Sequence, residues 1–253
     1  MKTNKVRQRL YAGEPTLGCF LGLGSPHVAE LLGHAGFDWL VVETEHNGLD
    51  SAEIERMLMA INGTDAVPLV RIPAADPVFI QRALDMGAMG IVVPMIRTAA
   101  QAEAIVRATR YPPLGTRSFG PLRASRYTLD NADYFAQAND NLLVVCILET
   151  AEAVDNLKDI VAVPGVDALF LGPFDLCLSL GLDPMRQPHP EIEEIAQRAL
   201  AQCRRYGIAM GMGAGTPEEL QTRRTQGVTM LGYGPDYAML VKAAVAGITA
   251  VRG

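Results

Sequence analysis

Apolar residues in this chain gather in short continuous runs separated by longer stretches of mixed character. The runs recur eight times, at roughly 16–23, 38–45, 67–72, 90–96, 142–149, 167–172, 207–212 and 228–233. WLVVE, PLVRI, GIVVPMI, LLVVCILE and ALFLG do not alternate with polar residues, which is the pattern of strands covered on both faces. The intervening stretches Val28 to His34, Ser51 to Ile61, Pro77 to Met86, Ala99 to Thr109, Ala151 to Ile160, Glu191 to Tyr206 and Pro217 to Thr225 read as helices. Asp50, three residues before Glu53, and Thr216, three before Glu219, stand where N-terminal caps belong. Eight strands alternating with helices predict an α/β fold, a single closed (β/α)8 TIM barrel spanning residues 1–253. An open doubly wound sheet is the alternative, but GLGS at 22–25 lacks the full spacing of a dinucleotide-binding turn. The leading MKTNKVRQRLYAGEP reads as a short helix capping the barrel bottom. The stretch 111–141 is too long and too rich in Pro and Gly for a simple connection, and such excursions are usually functional or interfacial.

Composition narrows the partners. The chain's 253 residues match the roughly 250 of a typical barrel. A formal charge of −6 with dispersed basic residues argues against nucleic acid. No apolar run approaches the roughly 18 residues of a membrane span, and the N-terminus lacks the apolar core of a secretory signal. A cytoplasmic location is expected. Cys19, Cys146, Cys177 and Cys203 form no CxxC pair and are expected to be reduced and mostly buried.

In a barrel of this kind the active site forms at the C-terminal strand ends, so polar residues closing an apolar run are the candidates. Run two ends in Glu43, Thr44, Glu45 and His46, run three in Arg71 and run five in Glu149, while run six enters Gly172-Pro173-Phe174-Asp175. Neighbouring strand ends lie about 4.8 Å apart, so Glu149 and Asp175 are placed to share a divalent cation. Two oxygens plus waters suit Mg²⁺, or Mn²⁺ in its place; helix capping or pairing with an arginine is equally open from spacing. His46 has the residue type for proton transfer near neutral pH. Arg71 interrupts a buried strand, as a guanidinium awaiting an anion would, with a buried ion pair as the other reading. The Phe174 and Asp175 amides at a helix start form a carboxylate cradle that Gly172 leaves open. Arg117, Arg123 and Arg126 are open to an acidic substrate tail, a neighbouring subunit or plain solvation.

Taken in order, FDWLVVETEH, VRIPAADP, ALDMGAMGIVVPMI, ATRYPPLGTR, LRASRY, LETAEAVDNL, PGVDALFLGPFDL and QPHPE resemble the metal-dependent (class II) pyruvate aldolases of the HpcH/HpaI type, from about residue 16 to about 245. Those enzymes act on 4-hydroxy-2-oxoheptanedioate and 2-keto-3-deoxy sugar acids. The resemblance implies a barrel of the phosphoenolpyruvate/pyruvate type, with Glu149 and Asp175 as ligands of Mg²⁺, or of Mn²⁺ or Co²⁺. It also implies Arg71 on the oxo-acid oxygen, the amides of Phe174 and Asp175 with Gly172 and Pro173 around the carboxylate, and His46 as the proton-transfer group. Asp85 as the acid partnered with His46 rests on the resemblance alone. The implied reaction is reversible cleavage of a 4-hydroxy-2-oxo acid into pyruvate, or a related 2-oxo acid, and an aldehyde. A homo-oligomer, trimer or hexamer, with the apolar YAMLVKAAVAGITAV helix against a neighbour, is likewise implied. The alternatives are a CoA-thioester lyase of the citrate or malyl-CoA lyase type, which wants a larger entrance, and a non-catalytic oxo-acid-binding homologue.

Three positions depart from the family pattern. Ile147 stands where the family has glutamine, Glu43-Thr44 where it has aspartate-glycine, and Phe174 where it has a small residue. Ile147 cannot hydrogen-bond a substrate, Phe174 narrows the cradle, and Glu43 is an extra polar group that stands to compensate.

Overall fold

The computed structural model describes residues 1–253. Its strands are β1 (Thr16–Leu21), β2 (Trp39–Glu43), β3 (Val67–Arg71), β4 (Gly90–Val93), β5 (Leu143–Leu148), β6 (Ala168–Leu171), β7 (Ala209–Ala214) and β8 (Met230–Pro235). They pair in parallel in chain order, and β8 closes on β1. The doubly wound alternative is thereby excluded. Every apolar run supplies one strand, with β7 and β8 lying two residues later than their runs predict.

The helices are α1 (Lys5–Tyr11), α2 (Pro26–His34), α3 (Ser51–Asn62), α4 (Pro77–Asp85), α5 (Ala99–Thr109), α6 (Asn131–Asn141), α7 (Ala151–Asp155), α8 (Leu157–Val161), α9 (Pro173–Ser179), α10 (Pro190–Tyr206), α11 (Pro217–Gln226) and α12 (Asp236–Arg252). Asp50 and Glu53 form a reciprocal capping box at the start of α3, each side chain accepting the other's amide at 2.8 Å. Thr216 caps α11 through the Glu219 amide, while the Glu219 carboxylate turns to the Gly215 amide instead. The helix expected over 151–160 breaks at Asn156, whose backbone leaves helical geometry and whose side chain donates to the Arg97 carbonyl at 2.9 Å. No helix is long and apolar enough to cross a membrane, and all four cysteines are free and buried.

The twofold strand period sorts side chains into two cores. Leu40, Val42, Val70, Ile91, Val144, Cys146 and Leu169 face the helices. Trp39, Val41, Leu69, Val92, Val145, Ile147 and Phe170 fill the barrel, with Val6 and Leu10 of α1 plugging its base. Phe20, Trp39 and Phe170 meet edge to face at centroid separations of 5.4–6.4 Å. Gly18 makes room for this filling, since a Cβ there would lie 1.9 Å from Trp39 Cδ2. The interior is therefore solid up to its top layer, where the same inward parity delivers Glu43, Arg71 and Glu149.

Candidate active site

Glu43 and Arg71 end adjacent strands in direct register, and Glu149 follows β5 beside β6 and Gly172. The three side chains are almost enclosed, Glu149 most of all at 1% exposure. Arg71 is the hub. Its Nη1 donates to Glu43 Oε2 at 3.2 Å. Its Nη2 is 2.5 Å from Glu45 Oε2 and 3.8 Å from Glu149 Oε2. Of the two readings posed from sequence, the arrangement seen here is the buried ion pair with neighbouring acids. Arg71 Nε has no partner, and the 2.5 Å contact leaves Glu45 Oε2 without a hydrogen bond.

Glu149 is held from the β4 side, where the Met95 amide donates to its Oε1 at 2.6 Å. Met95 adopts φ 57°, a left-handed conformation that costs a non-glycine residue on the order of 1 kcal/mol and here aims its N–H at the carboxylate. From the β6 side Gly172 lets that carboxylate in, because a Cβ at 172 would stand 2.8 Å from Glu149 Oε2. Burial pushes the Glu149 carboxyl up to about 7; the Met95 amide and Arg71 oppose the rise, and Glu45 and Asp175 add to it. Burial also raises Glu45, against Arg71 and His46 and with Glu43 and Asp175. Three acids thus crowd around one guanidinium, with Asp175 near enough to raise two of them, and the enclosed site carries a negative excess that a cation would offset.

Asp175 lies half-buried in the first turn of α9, beside Phe174, which is 56% exposed at the mouth. Gly172 and Pro173 open that helix, which has no side-chain cap, so the Phe174 and Asp175 amides lie where a helix leaves its N–H groups without internal acceptors. His46 projects outward with a 61% exposed ring, Nε2 being 3.5 Å from Glu45 Oε2. Ile147 is a buried wall of the barrel interior under this layer.

Asp85 is not among these residues. It ends α4, and a helix between parallel strands returns the chain to the barrel base, whereas His46 follows β2 at the top. Within one chain Asp85 instead pairs with Arg117 Nη2 at 2.6 Å. Arg117 is fully enclosed, hydrogen-bonded to the Tyr134 hydroxyl at 3.1 Å, with its guanidinium 4.7 Å from the Tyr111 ring centre. Arg123 is tied to the Met86 carbonyl, and only Arg126 is the solvated surface charge, paired with Asp130.

The sequence from residue 16 to 243 matches the family model described as HpcH/HpaI aldolase/citrate lyase. The chain belongs to that family. A 2-dehydro-3,6-dideoxy-6-sulfogluconate aldolase from Pseudomonas putida is 42% identical over 241 residues, 94% of this chain and 92% of the relative. A 4-hydroxy-2-oxo-heptane-1,7-dioate aldolase from Shigella sonnei is 39% identical over 245 residues, covering 96% and 93% respectively. Among solved structures, an HpcH/HpaI aldolase/citrate lyase family protein from Burkholderia cenocepacia J2315 superposes with a TM-score of 0.94 at 38% identity, over 99% of this chain and all of that one. Two features of this HpcH/HpaI family member escape sequence reasoning. The Met95 amide has no residue-type signature, and the Asp85–Arg117 pair joins positions 32 residues apart.

Proposed function

We propose that this chain is a divalent-metal-dependent aldolase that reversibly cleaves a 4-hydroxy-2-oxo acid into pyruvate, or a close 2-oxo acid, and an aldehyde. The observation that carries this reading is the acid-rich layer at the strand ends, where buried Glu149 lies 3.8 Å from a single arginine and half-buried Asp175 is near enough to push the Glu149 carboxyl further up. Relatives at 39–42% identity over nearly the whole chain carry aldolase names, which supports the same chemistry here.

The donor set fits a hard cation. Two carboxylate oxygens leave coordination positions for water and substrate, as Mg²⁺ prefers, with Mn²⁺ or Co²⁺ as substitutes. Glu149 and Asp175 would hold the ion, which when bound supplies Lewis-acid polarisation of the 2-oxo group.

The protein's own groups do the rest. The Phe174 and Asp175 amides and the open Gly172–Pro173 turn receive the substrate carboxylate. Arg71 faces the 2-oxo oxygen, on which negative charge grows during cleavage, so its attraction strengthens toward the transition state. His46, exposed at the mouth, takes the 4-hydroxyl proton through water. The C3–C4 electron pair passes into the enolate of pyruvate, the 4-carbon leaves as an aldehyde, and protonation at C3 completes the cycle. Asp85 joins His46 only if a second chain presents its barrel base to this mouth, so its role requires the homo-oligomer implied by the family resemblance.

The test is pyruvate release from a panel of 4-hydroxy-2-oxo acids, coupled to lactate dehydrogenase, before and after chelation. Release that disappears with chelator, returns with Mg²⁺ or Mn²⁺ and is absent from Glu149→Ala and Asp175→Ala is expected. Undiminished release from exhaustively chelated enzyme would overturn the metal requirement. Absence of release from every candidate would overturn the aldolase reading.

A further inference from the structure

Glu43, the last residue of β2, and Thr44 just after it, which stand where the family resemblance expects aspartate-glycine, both act on Arg71. The Thr44 hydroxyl donates to the Arg71 carbonyl at 2.6 Å, and the Thr44 amide donates to that same oxygen at 3.1 Å. Glu43 engages the other end of the residue, its Oε2 accepting from Nη1 at 3.2 Å. The remaining oxygen of Glu43 accepts from the amides of Glu45 and His46, at 2.7 and 3.3 Å. One carboxylate therefore ties the arginine to the loop that carries the proton-transfer histidine. Glycine has no hydroxyl to offer the carbonyl, and aspartate is one methylene shorter, so the family's usual pair cannot make this set of contacts from the same backbone.

The clamp matters because Arg71 has a competing destination. Its Nη2 lies between Glu45 Oε2 at 2.5 Å and Glu149 Oε2 at 3.8 Å, so a guanidinium released from Glu43 keeps only the Glu45 contact and is free to swing about it toward the buried carboxylate. It would then leave the 2-oxo oxygen and compete with any cation for Glu149. From these contacts we infer that Glu43 and Thr44 are positioning residues, which fix the guanidinium before substrate arrives and hold it off Glu149. Neither touches the reacting atoms. The inference rests on the role proposed above for Arg71.

The variants Thr44→Val, Thr44→Ser and Glu43→Gln test it in the full-length, Mn²⁺-loaded protein. Valine keeps the shape of threonine without its hydroxyl, serine keeps the hydroxyl, and glutamine removes the ion pair while retaining an acceptor for the loop amides. Steady-state kinetics are read beside calorimetric titration with oxalate, a stable dianion resembling the pyruvate enolate. Expected is a fall in kcat of about threefold to tenfold in Thr44→Val, with KM changing less than twofold, and recovery in Thr44→Ser. Glu43→Gln should lose about 10- to 100-fold in kcat and a comparable factor in oxalate affinity. Equal kinetics and equal oxalate affinity in wild type, Thr44→Val and Glu43→Gln would overturn the clamp. So would losses in Thr44→Val that serine does not restore. Oxalate binding is read without turnover, so the clamp remains testable in a protein that cleaves no substrate, an outcome that would count against the aldolase reading alone.

Discussion

Replacing Gly172 by alanine puts the active-site layer under a calculable load. Its backbone, at φ −100°, accepts alanine without strain, so the effect is one of space. The new Cβ would stand 2.8 Å from Glu149 Oε2, 2.9 Å from Glu149 Cβ and 3.0 Å from Ile147 Cγ2. All three are closer than van der Waals contact, and only the first belongs to the movable end of a side chain. Ile147 is fixed inside the barrel, so Glu149 must yield, and its other oxygen is tethered to the Met95 amide at 2.6 Å. Overpacking costs about 1–3 kcal/mol, and breaking a hydrogen bond to a buried carboxylate about 1.5–3 kcal/mol. The two overlap, because relieving one incurs the other, so a loss of about 3 kcal/mol is expected. In a chain of this size that corresponds to a melting temperature lower by roughly 6–12 °C. Function should suffer more than folding, with Mn²⁺ affinity falling at least tenfold, because the displaced group is itself the proposed ligand. Urea unfolding of the metal-free protein and calorimetric Mn²⁺ titration separate the two effects. A variant with an unchanged urea midpoint and wild-type Mn²⁺ affinity would refute the argument that Gly172 is there to admit Glu149.

Arg117→Ala should destabilise the chain by about 3 kcal/mol, since it strips Asp85 and the Tyr111–Tyr134 cage of their only shared cation; a urea midpoint within error of wild type would contradict this. The thiols of Cys19, Cys146 and Cys203 are each pushed by burial up to about 12, from an ordinary 9.0. At pH 8 a thiolate-selective disulfide reagent should therefore label the folded protein slowly and the urea-unfolded protein promptly, and prompt labelling of the folded state would sink the prediction. The unfolded thiols lose their protons first, so the stability these groups contribute below pH 9 should decline as pH climbs toward 12, visible as a falling urea midpoint.

The barrel is legible because its strands are unbroken apolar runs of strand length, and the eightfold repeat leaves few other architectures. The capping box at Asp50 and Glu53 is legible because it is local. One helix is not: in α6 the sequence NADYFAQANDN is polar and lacks a side-chain cap. The start of α9 at Gly-Pro is legible, its seven-residue extent is not. The charged layer is legible as a set of residue types at strand ends, since parity along β2 and β3 points Glu43 and Arg71 inward. The pairings within that layer are not, because they depend on which of several acids lies nearest one guanidinium. Arg117 shows the limit most plainly, since an arginine in a Pro- and Gly-rich stretch reads as surface charge until Tyr111, Tyr134 and Asp85 are seen to enclose it.

The inward parity of β2 and β3 also bears on how this enzyme can evolve. Inserting one residue into either strand would turn its terminal charge toward the helix-facing core, exchanging an acid or a guanidinium for a valine at the mouth. Connections such as 44–50 and 111–130 carry no such constraint on parity. Lineages descending from this chain are free to lengthen or trim those loops away from Thr44, Glu45, His46 and Arg117, and so to drift in the aldehyde they accept, while indels within the strands are purged.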